Sequence, residues 1–358
     1  MGFSETAVAK AGVRTRRETI VLLPSNRRHD LLQKSPDKVN RLGVAEALEE
    51  LGFNVDYLDV HAWPLNPLAR KPSLFASIDP LRAADVLVRR RRAKAVVSYY
   101  QSGVLLVLAL RRLLGFKPPV VIVDIGDDQN WPARERIVRY CIRRADAVFT
   151  FNSAQAAHLK AKYATDAVLF LTQQVDTVFY SPGPGPTEEF VLSVGDDISR
   201  DFDALKRALP GLPVVLRTSL VAEDRARIPF LRVVRERLSD AGLRDLYRRA
   251  KIVVLPLHDM LHPGGITTLL EAFACGKAVV AANARGIRDY LRHEENCLVV
   301  PCGDADALNH AVLRLMQDDG LRERLGHAAR EYAESELSQP CHAQRLAAAL
   351  RSLERVKP

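Results

Sequence analysis

The sequence predicts an α/β protein built from two doubly wound parallel-sheet halves that face each other across a cleft. Three observations carry that expectation. Short apolar runs alternate with amphipathic stretches along most of the chain, the pattern of a parallel sheet covered by helices on both faces. The alternation stops at Ser181-Pro182-Gly183-Pro184-Gly185-Pro186, where neither helix nor strand can form. It then begins again, and 358 residues suit two domains at roughly 100–200 residues each.

The elements follow in order. Residues 1–17 read as a frayed basic leader. Thr19 to Pro24 is too short and too apolar for a surface helix and reads as a buried strand. After a polar loop, Val39 to Leu51 has apolar residues at helical spacing and is ended by Gly52. Asn54 to Val60 is the next strand. Pro80–Arg92 (helix), Ala95–Tyr99 (strand), Gly103–Leu114 (helix), Val120–Val123 (strand) and Trp131–Arg144 (helix) continue the series. Ala147–Phe151 is a strand, Ser153–Tyr163 a helix capped by Ser153, and Ala167–Leu171 a strand.

Beyond the Pro/Gly hinge, strands are expected at Phe190–Val194, Val214–Arg217, Ile252–Leu255, Ala278–Ala281 and Cys297–Val300. Helices are expected at Arg200–Leu209, Ser239–Arg249, Thr267–Cys275, Ile287–Arg292 and Ala305–Gln317. A last helical stretch runs from Leu321 to Arg355 with a break at Gln339-Pro340. The domain boundaries are expected at 1–183, 184–335 and a terminal helix at 336–358.

Composition excludes several classes. With 47% hydrophobic residues the chain can bury a core and is not wholly disordered. Five cysteines give neither a disulfide framework nor a four-ligand zinc cluster and suit a reducing cytoplasm. The longest apolar run, Gly103 to Leu110, is stopped by Arg111-Arg112, short of the ~18 residues a membrane span needs. The N-terminus lacks an apolar core for export. A cytoplasmic protein is therefore expected. The net charge of +9 and the cluster Arg89-Arg90-Arg91-Arg92 fit either plain solubility and a solvated helix end or an anionic partner: nucleotide phosphates or the inner face of an anionic membrane, met peripherally. No aromatic–basic interleaving supports a nucleic acid. The G-x-G-x-x-G and G-x-x-x-x-G-K-[ST] runs are both absent, which disfavours a nicotinamide cofactor and a P-loop.

The stretch from Leu255 to Val280 carries the most chemistry. A buried strand leads to Gly264-Gly265, and a helix opens at Thr267-Thr268. Paired glycines let backbone approach a ligand closely. Free N–H groups at a helix start, helped by its dipole, hold an anion. Glu271, one turn in, can reach past the phosphates to a ribose diol. The same residues also fit a capped helix bearing a solvent-facing glutamate.

These residues resemble a known family. Pro263-Gly264-Gly265-Ile266-Thr267-Thr268-Leu269-Leu270-Glu271-Ala272-Phe273-Ala274-Cys275-Gly276-Lys277-Ala278-Val279-Val280 is similar to E-G-F-G-x-x-x-L-E-A-M-A-x-G-x-P-V-V of the retaining GT4 group (glycosyl transferases group 1). Gly286 to Tyr290, Glu295 to Leu308, Val175 to Pro182 and Ser193-Val194-Gly195 resemble further motifs of that family. The likeness spans residues 140–335. It implies the GT-B fold, two Rossmann-like doubly wound domains facing across a cleft. It also implies a C-terminal donor domain, an N-terminal acceptor domain, and a last helix crossing back to the N-terminal domain.

The implied activity is transfer of a sugar from a nucleotide-diphospho-sugar such as a UDP- or GDP-sugar. The acceptor would be a hydroxyl of a sugar, glycan or lipid-linked molecule. The implied reaction retains anomeric configuration and uses no metal and no cofactor beyond the sugar nucleotide. The implied donor residues are Gly195, Arg200, Arg217, His262, Gly264, Gly265, Ile266, Thr267, Thr268 and Glu271, and the implied catalytic residues Asp124, Asp127 and Arg200. Asp124 and Asp127 follow a buried strand at its carboxyl end and are also placed to cap the next loop. Arg200 also fits a surface ion pair with Asp201 or Asp203.

Departures matter. The family's first motif glutamate is Pro263 here, with His258, Asp259 or His262 as nearby substitutes. Asp196 stands where the family has a basic residue, and Ser25-Asn26-Arg27-Arg28-His29 stands in place of a glycine-rich loop. Two other readings stay open: a nucleotide-sugar epimerase on the same fold, and a non-catalytic transferase-derived binding protein.

Overall fold

The computed structural model describes residues 18–24, 37–58, 79–101, 103–125, 132–220 and 230–355. The N-terminal lobe contains β1 (Thr19–Leu23), α1 (Gly43–Glu50), β2 (Asn54–Tyr57), α2 (Pro80–Arg89), β3 (Ala95–Tyr99), α3 (Leu105–Leu110), β4 (Val120–Val123), α4 (Pro132–Arg144), β5 (Ala147–Thr150), α5 (Ser153–Tyr163) and β6 (Val168–Phe170). The C-terminal lobe contains β7 (Val191–Val194), α6 (Phe202–Ala208), β8 (Val214–Arg217), β9 (Leu231–Val234), α7 (Asp240–Arg249), β10 (Ile252–Leu255), α8 (Ile266–Ala274), β11 (Val279–Ala282), β12 (Leu298–Val300), α9 (Ala305–Gln317) and α10 (Asp319–Glu336). A last helix, α11 (Gln339–Arg355), leaves this lobe.

Each lobe holds one six-stranded sheet, ordered β2-β1-β3-β4-β5-β6 and β12-β11-β10-β7-β8-β9. All neighbouring pairs are parallel. The short Val/Ile-rich runs are buried on both faces, which is why they carry no polar alternation. The chain reverses its winding direction between β1 and β3 in one sheet and between β7 and β10 in the other. Ligands collect outside the carboxyl ends of strands at such switch points. Pro24 and Tyr99 stand at the first of these points, and Gly195 and the loop after Leu255 at the second.

The linker is irregular, as its prolines and glycines require. One apolar cluster nevertheless runs through both lobes, from Ile20 and Val97 to Phe273 and Leu350. Helix α11 packs on α1 of the N-terminal lobe. There Gln339 Nε2 donates to the Asn40 carbonyl at 2.6 Å, and the Arg351 guanidinium lies 5.1 Å from the Phe53 ring centre. A β-carbon at Gly43 would meet the end of the Gln339 side chain, so glycine there leaves room for the hydrogen bond to Asn40.

Several local expectations are corrected. The sequence reading missed β9, an edge strand whose apolar run is broken by Arg232 and is only partly buried. The expected Val39–Leu51 helix is confined to Gly43–Glu50, and Ile287–Arg292 is a single 3-10 turn at Arg288–Tyr290. The cap of α5 is Asn152, whose side chain accepts from Gln155 N–H at 2.7 Å; Ser153 is already helical. The last helical stretch breaks at Leu337-Ser338, ahead of Pro340, because proline is tolerated in a first turn but not in a helix interior.

Candidate functional site

A cavity of about 660 Å³ lies between the lobes. Pro24, Asn40, Tyr57, Tyr99, Tyr100 and Phe151 line it from one side. Asp196, Arg217, Arg237, Leu238, Thr267 and Glu271 line it from the other.

Helix α8 forms the floor on the C-terminal side. Its N-cap is Gly265 with φ +90°, a backbone conformation open to glycine at little cost. Thr267 is exposed at the cavity. Thr268 is buried and its hydroxyl accepts from Arg200 Nη2 at 2.9 Å. Ile266 points into the apolar core, so of the expected donor residues it is the one that packs rather than presents a polar group.

Glu271 is buried rather than solvent-facing, which overturns the capped-helix alternative at this residue. Tyr247 donates to its Oε2 at 2.9 Å, and Tyr180 adds a second hydrogen bond. Burial pushes the Glu271 carboxyl up to about 7, against the two tyrosine hydrogen bonds that lower it. Neither tyrosine was legible as functional: Tyr247 sits at a helical core spacing in α7, and Tyr180 belongs to the motif before the linker.

Arg200 is 7% exposed, not a surface residue. Its guanidinium fills the notch left by Gly195 and comes within 3.0 Å of where a β-carbon on Gly265 would stand. Its nearest carboxylate is Asp197 at 3.6 Å, in place of the expected Asp201 or Asp203. Asp201 instead caps α6, accepting from Ala204 N–H at 2.9 Å. Nε and Nη1 of Arg200 have no hydrogen-bond partner, although both are buried. A cation at a helix start is electrostatically unfavourable alone, so this corner favours an anion. Asp197 and Ser199 pack on Gly264, so the protein's own carboxylate lies at the expected phosphate cradle. Ser199 N–H donates to Asp197 at 2.9 Å.

Arg217 is ion-paired with Asp196 at the cavity wall. Burial works against ionisation of Asp196, but the Ser219 N–H, Arg217 and the Ser219 hydroxyl outweigh it and hold the carboxyl below its ordinary value. The expected His262 has an exposed side chain that does not line the cavity; its carbonyl sits where a β-carbon on Gly286 would go. Of the other substitutes for Pro263, Asp259 is bound to Arg285 at 3.0 Å and His258 faces Asp201 at 3.7 Å.

At the carboxyl edge of the other sheet, Tyr100, Gln101 and Asp124 all have positive φ, at 54°, 63° and 59°. Non-glycine residues pay for that conformation, and such strain collects at functional edges. Burial lifts the Asp124 carboxyl to about 6. Asp124 does not line the cavity, and Asp127 lies outside the described residues.

The lobes are tied beside this cleft. Asp289 accepts from Ser153 N–H at 2.8 Å and Oγ at 2.6 Å. Asn152 Nδ2 donates to the Leu261 carbonyl at 3.1 Å, and the Tyr290 hydroxyl donates to the Phe151 carbonyl at 2.6 Å. Among the described residues no cluster of three or more His, Cys, Asp or Glu is arranged for a metal, and no helix is long and apolar enough to cross a membrane.

Residues 234–332 match the family described as Glycosyl transferases group 1. A D-inositol 3-phosphate glycosyltransferase of Kribbella flavida is 37% identical over 93 residues, which cover 26% of this chain and 21% of the relative. Alpha-maltose-1-phosphate synthase of Mycolicibacterium smegmatis is 28% identical over 243 residues, 56% of this chain and 62% of the relative. The matches thus span from about a fifth to under two thirds of these relatives. Among solved structures, sucrose-phosphate synthase from Thermosynechococcus elongatus superposes with a TM-score of 0.69 at 19% identity, covering 95% of this chain and all of that one. Anabaena HepE in complex with UDP gives 0.67 at 16% identity, covering 94% of this chain and all of that one. The fold is the GT-B fold of these glycosyltransferases.

Proposed function

We propose that the protein is a glycosyltransferase that moves a sugar from a nucleotide-diphospho-sugar to an acceptor hydroxyl, with the donor on the C-terminal lobe and the acceptor on the N-terminal lobe. The observation that carries this is Glu271: a buried carboxylate one turn into α8, held by two tyrosines, at the floor of the interlobe cavity. A carboxylate has about four acceptor positions, so two remain for a ribose diol. The start of α8 and the unpartnered N–H groups of Arg200 supply the positive field for a pyrophosphate. The complexes of Anabaena HepE with UDP and with UDP-glucose support a uridine nucleotide as the first donor to try.

The family likeness supports retention and independence from metal. The departing phosphate would then accept the acceptor's proton, and preorganised donors would contribute on the order of 2–4 kcal/mol each to its stabilisation. Closing the lobes would exclude water from the transfer.

The test is calorimetric titration of the full chain with UDP, GDP, ADP and TDP, followed by turnover of the matching sugar nucleotides with and without EDTA. Saturable binding of one nucleotide that Glu271→Ala weakens, with sugar transfer unaffected by EDTA, is expected. No binding of any nucleotide would sink the reading, and binding without turnover would leave a transferase-derived binding protein. Interconversion of sugar nucleotides without transfer would make it an epimerase.

A further inference from the structure

The parallel sheet of the N-terminal lobe has a second edge, opposite the cleft. At this amino edge the chain enters β3, β4 and β5, which are neighbours in the sheet. The three entering loops therefore lie side by side. Val96 N–H donates to the Pro119 carbonyl at 2.9 Å, and Asp146 N–H to the Val120 carbonyl at 2.8 Å.

Three basic segments converge there: Arg89 to Arg92, Arg111-Arg112 with Lys117, and Arg143-Arg144. Part of this charge is used internally. Arg90 pairs with Asp56 at 2.7 Å, Arg111 with Asp146 at 2.5 Å, and Arg144 lies 5.2 Å from the Tyr140 ring centre. Arg92, Arg112 and Arg143 are exposed and make no ion pair with a described residue. Beside them α3 runs on for one more turn, with Leu114 N–H bonded to the Leu110 carbonyl at 3.0 Å. That turn presents Leu110, Leu113 and Leu114 outward, and Leu113 is 82% exposed.

We propose that this amino edge docks the protein on an anionic phospholipid surface. The three leucines enter the headgroup–acyl boundary while the free arginines meet lipid phosphates. Exposed leucines and exposed arginines at one edge match a surface that is apolar beneath and anionic above. A nucleic acid would meet the same arginines but has no use for the leucines, and among the described residues no exposed aromatic side chain stands in these segments for bases to stack on. The cleft lies at the other edge of the sheet, so docking leaves it open. The proposal therefore does not depend on which sugar nucleotide is bound.

The experiment is flotation of the full chain with phosphatidylcholine vesicles and with vesicles that also contain phosphatidylglycerol. Binding to the second kind alone is expected, and it should fall away at ~1 M salt, where screening acts within about 3 Å. Arg92→Glu and Arg112→Glu should each weaken partitioning by about fivefold or more. Leu113→Asp should weaken it by about tenfold or more. All three residues are exposed, so the melting curve should not move. Failure to float with anionic vesicles would overturn the proposal, as would flotation that the three variants leave unchanged. If Leu113→Asp were without effect and duplex DNA displaced the vesicles, the edge would be a plain polyanion surface instead.

Discussion

The Tyr247 hydroxyl donates to Glu271 Oε2 at 2.9 Å with both groups buried, so the carboxylate at the cavity floor is held in one orientation before any ligand arrives. Tyr180 joins from the chain just ahead of the linker. An acid held this way has its charge opposed by burial and supported by hydrogen bonds, and its titration becomes a readout of the site.

Burial pushes the Glu271 carboxyl up from its ordinary 4.5 to about 7. Its raised value means that the protonated form is favoured by folding. This contribution to stability is present below pH 4.5 and is lost as pH rises through about 7. Glu271→Gln should flatten that part of the stability–pH curve, by on the order of 3 kcal/mol between the two ends. Nucleotide affinity should run the other way, rising with pH as the carboxylate forms, and the variant should lose about 1–3 kcal/mol of binding. Chemical denaturation and calorimetry across pH check both; matching curves for the two proteins would remove Glu271 from the site.

Asp197 and Arg200 compete over the same corner. Asp197→Asn should tighten nucleoside diphosphate binding by about fivefold, the size of one partly exposed charge interaction. Arg200→Lys keeps the charge but loses the fork, and should weaken the same binding by about tenfold. Opposite signs in titration calorimetry are the expected result. If both variants bind as the parent does, the phosphates lie elsewhere.

Beside the Asn152 cap, Asp289 of the other lobe accepts from the first N–H and the hydroxyl of α5, both of Ser153. Asp289→Ala should cost about 1 kcal/mol, as a lost cap does. It should also open the cleft, because this contact is one of the ties beside it. Small-angle scattering should then show a larger radius of gyration, and an unchanged radius would make the contact a local one.

Burial lowers His342 to about 4, with Nδ1 against the Thr172 carbonyl at 2.8 Å. A depressed histidine adds stability above its ordinary value of 6.5 and loses it as pH falls through about 4. Melting temperature should therefore drop over that window, and His342→Asn should show a shallower drop.

The amino-acid sequence by itself determined the architecture. Buried parallel strands are written as uninterrupted apolar runs, and Val120–Val123 and Ile252–Leu255 were readable to the residue because burial on both faces leaves no other pattern. The irregular segment from Ser181 to Pro186 was equally plain, since proline and glycine act locally. The place of Glu271 in its helix followed from spacing, but its burial did not. Tyr247 and Tyr180 reach it from elements 24 and 91 positions away, and a hydrogen bond across the fold leaves no local periodicity. Arg200 and Asp197 occupying the glycine corner and Asp196 taking up Arg217 were decided only when the C-terminal lobe folded, and Asp289 reaching a helix of the other lobe only when the two lobes met. Such pairings depend on where side chains meet in space, which the order of residues along the chain does not encode.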